Sequence, residues 1–235
     1  MAGLNSYRLG MNRDEKLARA IAFPPAQDHF GTREVLFPRE PEGGTWVGVN
    51  DAGVTVALIN WYGVPAGVAG KPLSRGELVR ASLPSASPDQ LHVLRGESPL
   101  VRVNPFRLIG VFPARRIVVE WLWNLERLER LDHPWRTSIW ISSGVDEAGA
   151  QRTRTASFRE ALLRSSADGA DWLRRLHRSH APERGPYSTC MHREDAATVS
   201  YTEVAVSREM AALRYTPGAP CCSAPLPEQV LGLKR

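Results

Sequence analysis

The segment GGTWVGVNDAGVTVALIN, residues 43–60, restricts the possible folds more than any other part of the sequence. Residues 45–50 and 53–60 are rich in β-branched and other apolar side chains. Between them, Asn50-Asp51-Ala52-Gly53 supplies turn residues, including a glycine that can adopt positive φ. The pattern predicts a β-hairpin.

The second arm of this hairpin is apolar on both faces. Val54, Val56 and Leu58 point to one side, while Ala57 and Ile59 point to the other. A strand that faces water on one side alternates apolar and polar residues, so this strand must be covered on both sides. The hairpin therefore predicts a layered fold rather than a single exposed sheet.

The remaining elements are a mixture of strands and helices. Capping residues predict four helices, which begin near Ser74, Ser87, Asp146 and Asp171, and Gly96 is expected to end the second. Further strands are predicted at 4–11, 106–112, 116–123, 135–142, 197–206 and 210–215. Residues 122–131 fit either a helix or a strand with a turn at Asn124, and we favour the strand and turn.

Two segments are expected to be irregular. Pro24 and Pro25 predict a loop at 20–31, and a Pro-rich tail is predicted at 217–235. The order of strands, helices, strands, helices and strands predicts a single α+β domain over 1–235, with helices over both sheet faces.

The charge and composition exclude some function classes. The formal net charge is +5, but the basic residues are scattered and no aromatic ladder alternates with them, so we expect no nucleic-acid binding. Three cysteines, two of them adjacent, make a poor disulfide framework and indicate a reducing compartment. No apolar stretch approaches a membrane span, so we expect no transmembrane segment and a cytoplasmic location.

The tetrapeptide Asn12-Arg13-Asp14-Glu15 is expected to form a polar turn after the strand at 4–11, and its charges have two interpretations. In the first, its charges form salt bridges that fix the end of a strand. In the second, they line a pocket and hold a ligand or the N-terminus. An adjacent arginine favours an ionised carboxylate, so Asp14 is expected to orient other groups rather than to abstract protons.

Cys190 and His192 are weak candidates for a metal or heme-iron site. Cys-x-His lacks the two further ligands of a structural zinc site, so we expect no metal there, but a core cysteine and a hydrogen-bonded histidine. His177 and His180 are expected at a solvated helix end. Most tryptophans are expected in the core, although Trp61 and Tyr62 can form an aromatic pocket for a flat apolar ligand.

Four ordered blocks resemble a known family. They are NRDE at 12–15, the hairpin at 43–60, SRGELV at 74–79 and CMHREDAATVSYTEV at 190–204. Together they resemble the NRDE family, also called the transport and Golgi organization family. Members of that family are similar to N-terminal-nucleophile (Ntn) hydrolases, so the resemblance implies a four-layer αββα sandwich.

The resemblance also implies candidate catalytic residues. In the related choloylglycine and penicillin V acylases, an N-terminal cysteine is the nucleophile. Asn12-Arg13-Asp14 matches the Asn-x-Asp part of their motif, which places Asp14 at the carboxylate position, with Met11 where those enzymes have an arginine. Asn60 lies where a residue that helps to bind the oxyanion is expected.

The function implied by the resemblance is binding or trafficking of a hydrophobic anionic small molecule, with heme or an acyl-type ligand as candidate. The sequence begins Met-Ala-Gly-Leu, so we expect no Ntn hydrolysis by the chain as written. One alternative is an amidohydrolase whose nucleophilic cysteine lies upstream, and another is a structural or regulatory protein that binds no ligand. The candidate ligand-binding residues are Asn12, Arg13, Asp14, Glu15, Trp46, Asn60 and Trp61.

Overall fold

The computed structural model describes residues 6–91, 100–164 and 170–234. Within these ranges the chain forms eleven strands and three α-helices. The strands are β1 (Tyr7–Lys16), β2 (Phe23–Phe30), β3 (Arg33–Arg39), β4 (Val47–Asn50), β5 (Thr55–Asn60), β6 (Phe106–Phe112), β7 (Ile117–Trp123), β8 (Leu128–Pro134), β9 (Ala196–Val206), β10 (Met210–Pro217) and β11 (Gln229–Gly232). The helices are α1 (Arg75–Ser82), α2 (Glu147–Leu163) and α3 (Asp171–Arg178).

The strands form two antiparallel sheets stacked between helices. The small sheet has the order β1-β9-β10-β11, and the large sheet runs in chain order from β2 to β8. Helix α1 packs Leu78 and Val79 against the outer face of the large sheet. Helix α3 lies against β1, and α2 packs on α3. The predicted α+β fold with four αββα layers is confirmed.

The hairpin explains why the layers form. Val56 and Leu58 of β5 belong to the core beneath α1, whereas Ala57 belongs to the core between the two sheets. In that second core, Val47 and Val49 of β4 meet Val204 and Leu213 of the small sheet. Both faces of the hairpin are therefore buried, as its sequence predicted.

The two sheets do not match in width. Strands β10 and β11 lie against β2, β3 and β4, so the small sheet covers that half of the large one. Over β6 and β7, the inner face of the large sheet consists of Ile109, Val111 and Val118. These residues contact the side of β1 and two tryptophans that follow β8, Trp135 and Trp140. The space between the sheets is open here and forms a cleft.

Several further predictions are confirmed. Ser74 caps α1 by accepting a hydrogen bond from the N–H of Gly76, and Asp146 caps α2 by accepting one from Gly149. Residues 122–131 form a strand, a turn and a strand, because the side chain of Asn124 accepts hydrogen bonds from the N–H groups of the turn. The strands predicted at 106–112 and 116–123 are β6 and β7.

Two segments near the N-terminal end differ from prediction. Residues 12–15 are not a turn but part of β1, which continues to Lys16 through a bulge between Arg13 and Asp14. Residues 23–30 are not a loop but β2. Pro24 and Pro25 are tolerated because β2 is an edge strand whose register shifts between Phe23 and Ala26.

Three later predictions also need correction. Residues 135–142 were expected to form a strand but are irregular, because they cross over the open half of the large sheet instead of pairing with it. The tail expected to be irregular contains β11, which pairs with β10. The helix predicted after Ser87 is a single 3₁₀ turn, Pro88–Gln90, and its expected end at Gly96 lies outside the described residues.

No α-helix in the described ranges is long and apolar enough to cross a membrane.

Asn50 gives a first prediction, because its fully buried side chain joins the hairpin turn to the end of α1. Its Nδ2 donates to the carbonyls of Leu83 and Ser85, and its Oδ1 accepts from the N–H groups of Ala52 and Val54. Asn50→Ala leaves these buried groups unpaired, and we expect it to lower the free energy of unfolding by about 2–4 kcal/mol.

The control is Asn124→Ala, which removes an asparagine that also accepts two backbone hydrogen bonds but in an exposed turn. Water replaces those bonds, so a loss below about 1 kcal/mol is expected. Urea denaturation measures both values. Equal losses would show that burial of Asn50 adds nothing.

Candidate functional site

The open half of the sandwich contains a cleft of about 1710 Å³. One wall is apolar and consists of the inner face of β6 and β7 with Trp135 and Trp140. The opposite wall is β1, and residues of α2 and α3 close the back. The cleft therefore brings the NRDE segment, the end of β5 and the helix layer to one place.

The irregular segment that forms part of the apolar wall is fixed by a buried carboxylate. Glu120 on β7 accepts a hydrogen bond from Arg107 at 2.6 Å and contacts His133 at 2.8 Å. Burial would raise the pKa of Glu120, but hydrogen bonds from Arg107, Trp140 and His133 outweigh it and lower the pKa below its usual value. The ionised Glu120 holds Trp140 against the sheet.

The NRDE residues divide between the two faces of the small sheet, because successive strand residues point to opposite sides. Arg13 points between the sheets, where its guanidinium stacks 4.7 Å from the ring centre of Trp46 and bonds Glu40 at 2.8 Å. Glu15 lies on the same side and pairs with Arg19 at 2.9 Å. These contacts agree with the salt-bridge interpretation of the motif.

Asn12 and Asp14 point to the helix layer instead. The Nδ2 of Asn12 donates to the carbonyls of His177 in α3 and Thr189 in the following loop. Asp14 accepts a hydrogen bond from Thr198 Oγ1 at 2.6 Å and forms an ion pair with Arg154 of α2 at 3.2 Å. These two residues fasten α2, α3 and the loop to β1.

Arg154 is a site residue that the sequence analysis missed. It is buried, and besides Asp14 it donates to the carbonyls of Ser142 and Tyr187. Ser142 in turn donates through Oγ to the carbonyl of Asn60 at 2.6 Å. Arg154 thus connects Asp14 with Asn60, the two candidate catalytic residues. The sequence could have indicated its burial, because Arg154 lies at helical spacing between Ala150 and Phe158 on the buried side of α2.

The other predicted residues fall into different places. Asn60 lies at the cleft, and its Nδ2 donates to the hydroxyl of Tyr62 at 2.8 Å. Trp46 also lines the cleft, and its indole N–H has no partner among the described residues. Trp61 is not among the lining residues, whereas its neighbour Tyr62 is.

Arg75 is a second site residue that the sequence analysis did not identify. It lines the cleft beside the NRDE residues, and its guanidinium donates to the carbonyl of Pro105 at 3.0 Å. Burial is the largest effect on the pKa of Arg75 and lowers it, but arginine stays protonated at neutral pH. In the described part of the chain it makes no ion pair with a carboxylate, so its charge is available to a ligand.

His177 is not at a solvated helix end as expected. Its ring is half-buried in the cleft wall with Nδ1 shielded from solvent, packs on Tyr201 with 4.9 Å between ring centres, and would clash with any side chain at Gly10. Burial lowers the pKa of His177 to about 4. The imidazole is therefore neutral at neutral pH.

Cys190 and His192 do not line the cleft. They lie together behind the helix-facing side of β1, where burial raises the pKa of the Cys190 thiol to about 12. A protonated, buried thiol is not a nucleophile at neutral pH. The structure also brings His180 and Cys221 to this pair, which the sequence did not predict.

The comparisons with known proteins agree with this architecture. The family model described as "Transport and Golgi organisation 2" matches residues 5–158, more than half of the chain. The chain belongs to this family. The resemblance noted in the sequence is thereby confirmed, and the NRDE segment, the hairpin and SRGELV all lie within the matched residues.

Solved structures show the fold of this family member. It is similar to the C2A mutant of conjugated bile acid hydrolase from Clostridium perfringens, with a TM-score of 0.54 and 11% identity, over 98% of this chain and 94% of that one. It is also similar to penicillin V acylase from Agrobacterium tumefaciens, with a TM-score of 0.52 and 9% identity, over 92% and 81%. No match was found among the curated proteins. The Ntn-hydrolase-like fold is confirmed.

Arg154 gives the second prediction. Arg154→Met removes the donors of two carbonyls and the partner of Asp14, and we expect a loss of about 2–4 kcal/mol in the free energy of unfolding. Arg159→Met, the same change at an exposed position of α2, should cost under about 0.5 kcal/mol. Asp14→Asn should lower the free energy of unfolding less in the Arg154→Met protein than in the wild type, because the ion pair is already broken there. Additive losses in urea denaturation would contradict the ion pair.

His177 gives the third prediction. A pKa lowered from 6.5 to about 4 means that the unfolded chain takes up a proton before the folded chain does. The contribution of neutral His177 is complete above pH 6.5 and is lost as pH falls towards 4, by up to about 1.4 kcal/mol per pH unit. In His177→Gln this slope should disappear. Urea denaturation between pH 7 and 4 measures the difference, and parallel curves for both proteins would contradict it.

Proposed function

We propose that the cleft binds a hydrophobic small molecule that carries a carboxylate, with heme or an acyl-type compound as candidate ligand. The observation that carries the proposal is an apolar wall beside an arginine, Arg75, that makes no ion pair with any carboxylate of the described residues. The proposal is one of binding or trafficking.

The apolar wall is suited to a flat or extended hydrophobic group. Trp135 and Trp140 flank the inner residues of β6 and β7, and Ile59 and Leu9 complete the surface. Indole rings offer a large rigid area for contact. The volume of about 1710 Å³ exceeds the roughly 300–1,000 Å³ of common small-molecule pockets, so a large ligand can enter.

Arg75 lies beside an ion-pair network of the NRDE segment but is not part of it. Arg13 and Arg19 bind Glu15 and Glu40 in a network with two charges of each sign. Arg75 lies close enough to Arg19 and Glu15 for their charges to affect its pKa. A ligand carboxylate placed here would gain a charge-assisted hydrogen bond from Arg75.

The second candidate function is amide hydrolysis by an N-terminal cysteine. It is favoured by the placement of Asn60 at the cleft and by the link from Asn60 through Ser142 and Arg154 to Asp14. The two proteins that share the fold are by name a bile acid hydrolase and a penicillin V acylase. In this function Asn60 would donate to the oxyanion and Asp14 would orient the N-terminus.

Titration with heme, followed through its Soret absorption band, gives the fourth prediction. We expect saturable binding of one heme, and Arg75→Met should weaken it by about tenfold or more, as expected for loss of a hydrogen bond to a charged group. The control Arg127→Met removes an arginine exposed at the β7–β8 turn and should leave the affinity unchanged.

The dimethyl ester of heme, which lacks the carboxylates, tests the role assigned to Arg75. It should bind the wild-type protein and Arg75→Met equally. Absence of saturable binding by heme and by long-chain fatty acids would overturn the binding proposal. Turnover of a panel of acyl amides by a chain extended upstream to an N-terminal cysteine, lost in Asn60→Ala, would replace it with the hydrolase.

A further inference from the structure

A cluster of four potential metal ligands lies behind the NRDE segment. Cys190 and His192 were expected to lack the two further ligands of a zinc site, but the fold adds His180 and Cys221 to them. One ligand atom from each residue lies within 4.8 Å of every other. The four residues come from three stretches of chain: the end of α3, the loop before β9, and the segment after β10.

Hydrogen bonding alone cannot account for this arrangement. The Nε2 atom of His192 lies 3.2 Å from Nε2 of His180, 3.6 Å from Sγ of Cys190 and 3.6 Å from Sγ of Cys221. An imidazole nitrogen carries either one hydrogen or one lone pair, so it can satisfy only one of these neighbours well. A cation at the centre would satisfy all four atoms together.

The three distances around His192 agree with a tetrahedral zinc site. With Zn–N near 2.0–2.1 Å and Zn–S near 2.3 Å, tetrahedral geometry places two nitrogen ligands about 3.3 Å apart and a nitrogen and a sulfur about 3.6 Å apart. The three distances around His192 lie close to these values. Two thiolates and two imidazoles are also a common donor set for structural zinc.

The donor set points away from two alternatives. Heme iron takes protein ligands only above and below the porphyrin plane, which four converging donors would exclude. A two-iron cluster of the Rieske type binds its cysteines and histidines to different iron atoms, whereas here His192 lies at single-ion distances from both sulfurs.

We propose that His180, Cys190, His192 and Cys221 bind one zinc ion that has a structural role. Because four protein ligands complete a tetrahedral shell, no position remains for a substrate or a catalytic water. The ion would join the segment after β10 to the loop before β9. The proposal does not depend on the ligand of the cleft.

The site would also steady the NRDE segment. Thr189, next to the ligand Cys190, accepts a hydrogen bond from Asn12 through its carbonyl. The N–H of Met191 donates to Thr198 Oγ1, which itself donates to Asp14. The residues on both sides of Cys190 are therefore linked to the helix-facing NRDE residues. Thr189 binds Asn12 directly, and Met191 is connected to Asp14 through Thr198.

One neighbour has to move when zinc binds. A guanidinium nitrogen of Arg184 lies 3.3 Å from Nδ1 of His192, and Nδ1 carries the proton when Nε2 binds a metal. The side chain of Arg184 is exposed, so it can turn into solvent. Its positive charge also disfavours a cation, and Arg184→Ala should therefore bind zinc at least as tightly as the wild type.

The fifth prediction concerns metal content and affinity. The full chain, purified under reducing conditions without chelator, should contain one zinc ion per chain by elemental analysis. In competition with a chromophoric chelator, Cys221→Ser and His192→Ala should lose more affinity than the roughly 10–100-fold typical of a lost outer-shell partner. The controls Cys222→Ser and His29→Ala change exposed residues outside the cluster and should keep full affinity.

Substitution with Co²⁺ tests the geometry even where a ligand variant folds poorly. The wild-type protein should show the intense visible bands of tetrahedral cobalt and a thiolate charge-transfer band, with the latter weakened in Cys221→Ser and intact in Cys222→Ser. Far-UV circular dichroism of the chelated and reloaded wild-type protein verifies that binding is reversible. Absence of stoichiometric binding by the reduced wild-type chain, an octahedral cobalt spectrum, or equal losses in Cys222→Ser and Cys221→Ser would overturn the proposal.

Discussion

The hydrogen bonds of Asp14 hold together the parts of the molecule that surround the cleft. Its carboxylate accepts from Thr198 on β9 and from Arg154 on α2, so a single side chain joins two neighbouring strands to the helix layer. Arg154 passes the connection on to Ser142 and thus to the end of β5 in the other sheet. Because each of these groups is at least partly buried, water cannot easily replace them.

The cleft itself results from the unequal width of the two sheets. A four-stranded sheet cannot cover a seven-stranded one, and the apolar inner face of β6 and β7 still has to be shielded from water. The segment after β8 does this in part with Trp135 and Trp140. The remaining space has an apolar wall on one side and β1 with its charged residues on the other, a combination typical of ligand-binding sites.

The NRDE motif fits neither of its two interpretations alone. Arg13 and Glu15 form the predicted salt bridges, while Asn12 and Asp14 bind the helix layer. All four residues also line the cleft. The alternation of a strand explains this division, but the sequence did not show that residues 12–15 are part of a strand. An apolar run followed by four polar residues is a pattern typical of a turn. The partners that keep these four residues in a strand are distant in sequence, so the pattern does not reveal them.

The sequence by itself determined what depends on neighbouring residues: the hairpin with two apolar faces, the caps of α1 and α2, and the family. It favoured the turn at Asn124 over a helix without deciding between them. It also determined that layers must cover both faces of the hairpin, because apolar side chains on both sides of a strand require it. Tertiary structure alone decided that Arg154 meets Asp14, that Arg75 faces a cleft, that His177 packs on Tyr201, and that His180 and Cys221 join Cys190 and His192. These groups lie far apart along the chain, and only the stacking of sheets and helices sets the distances between their side chains.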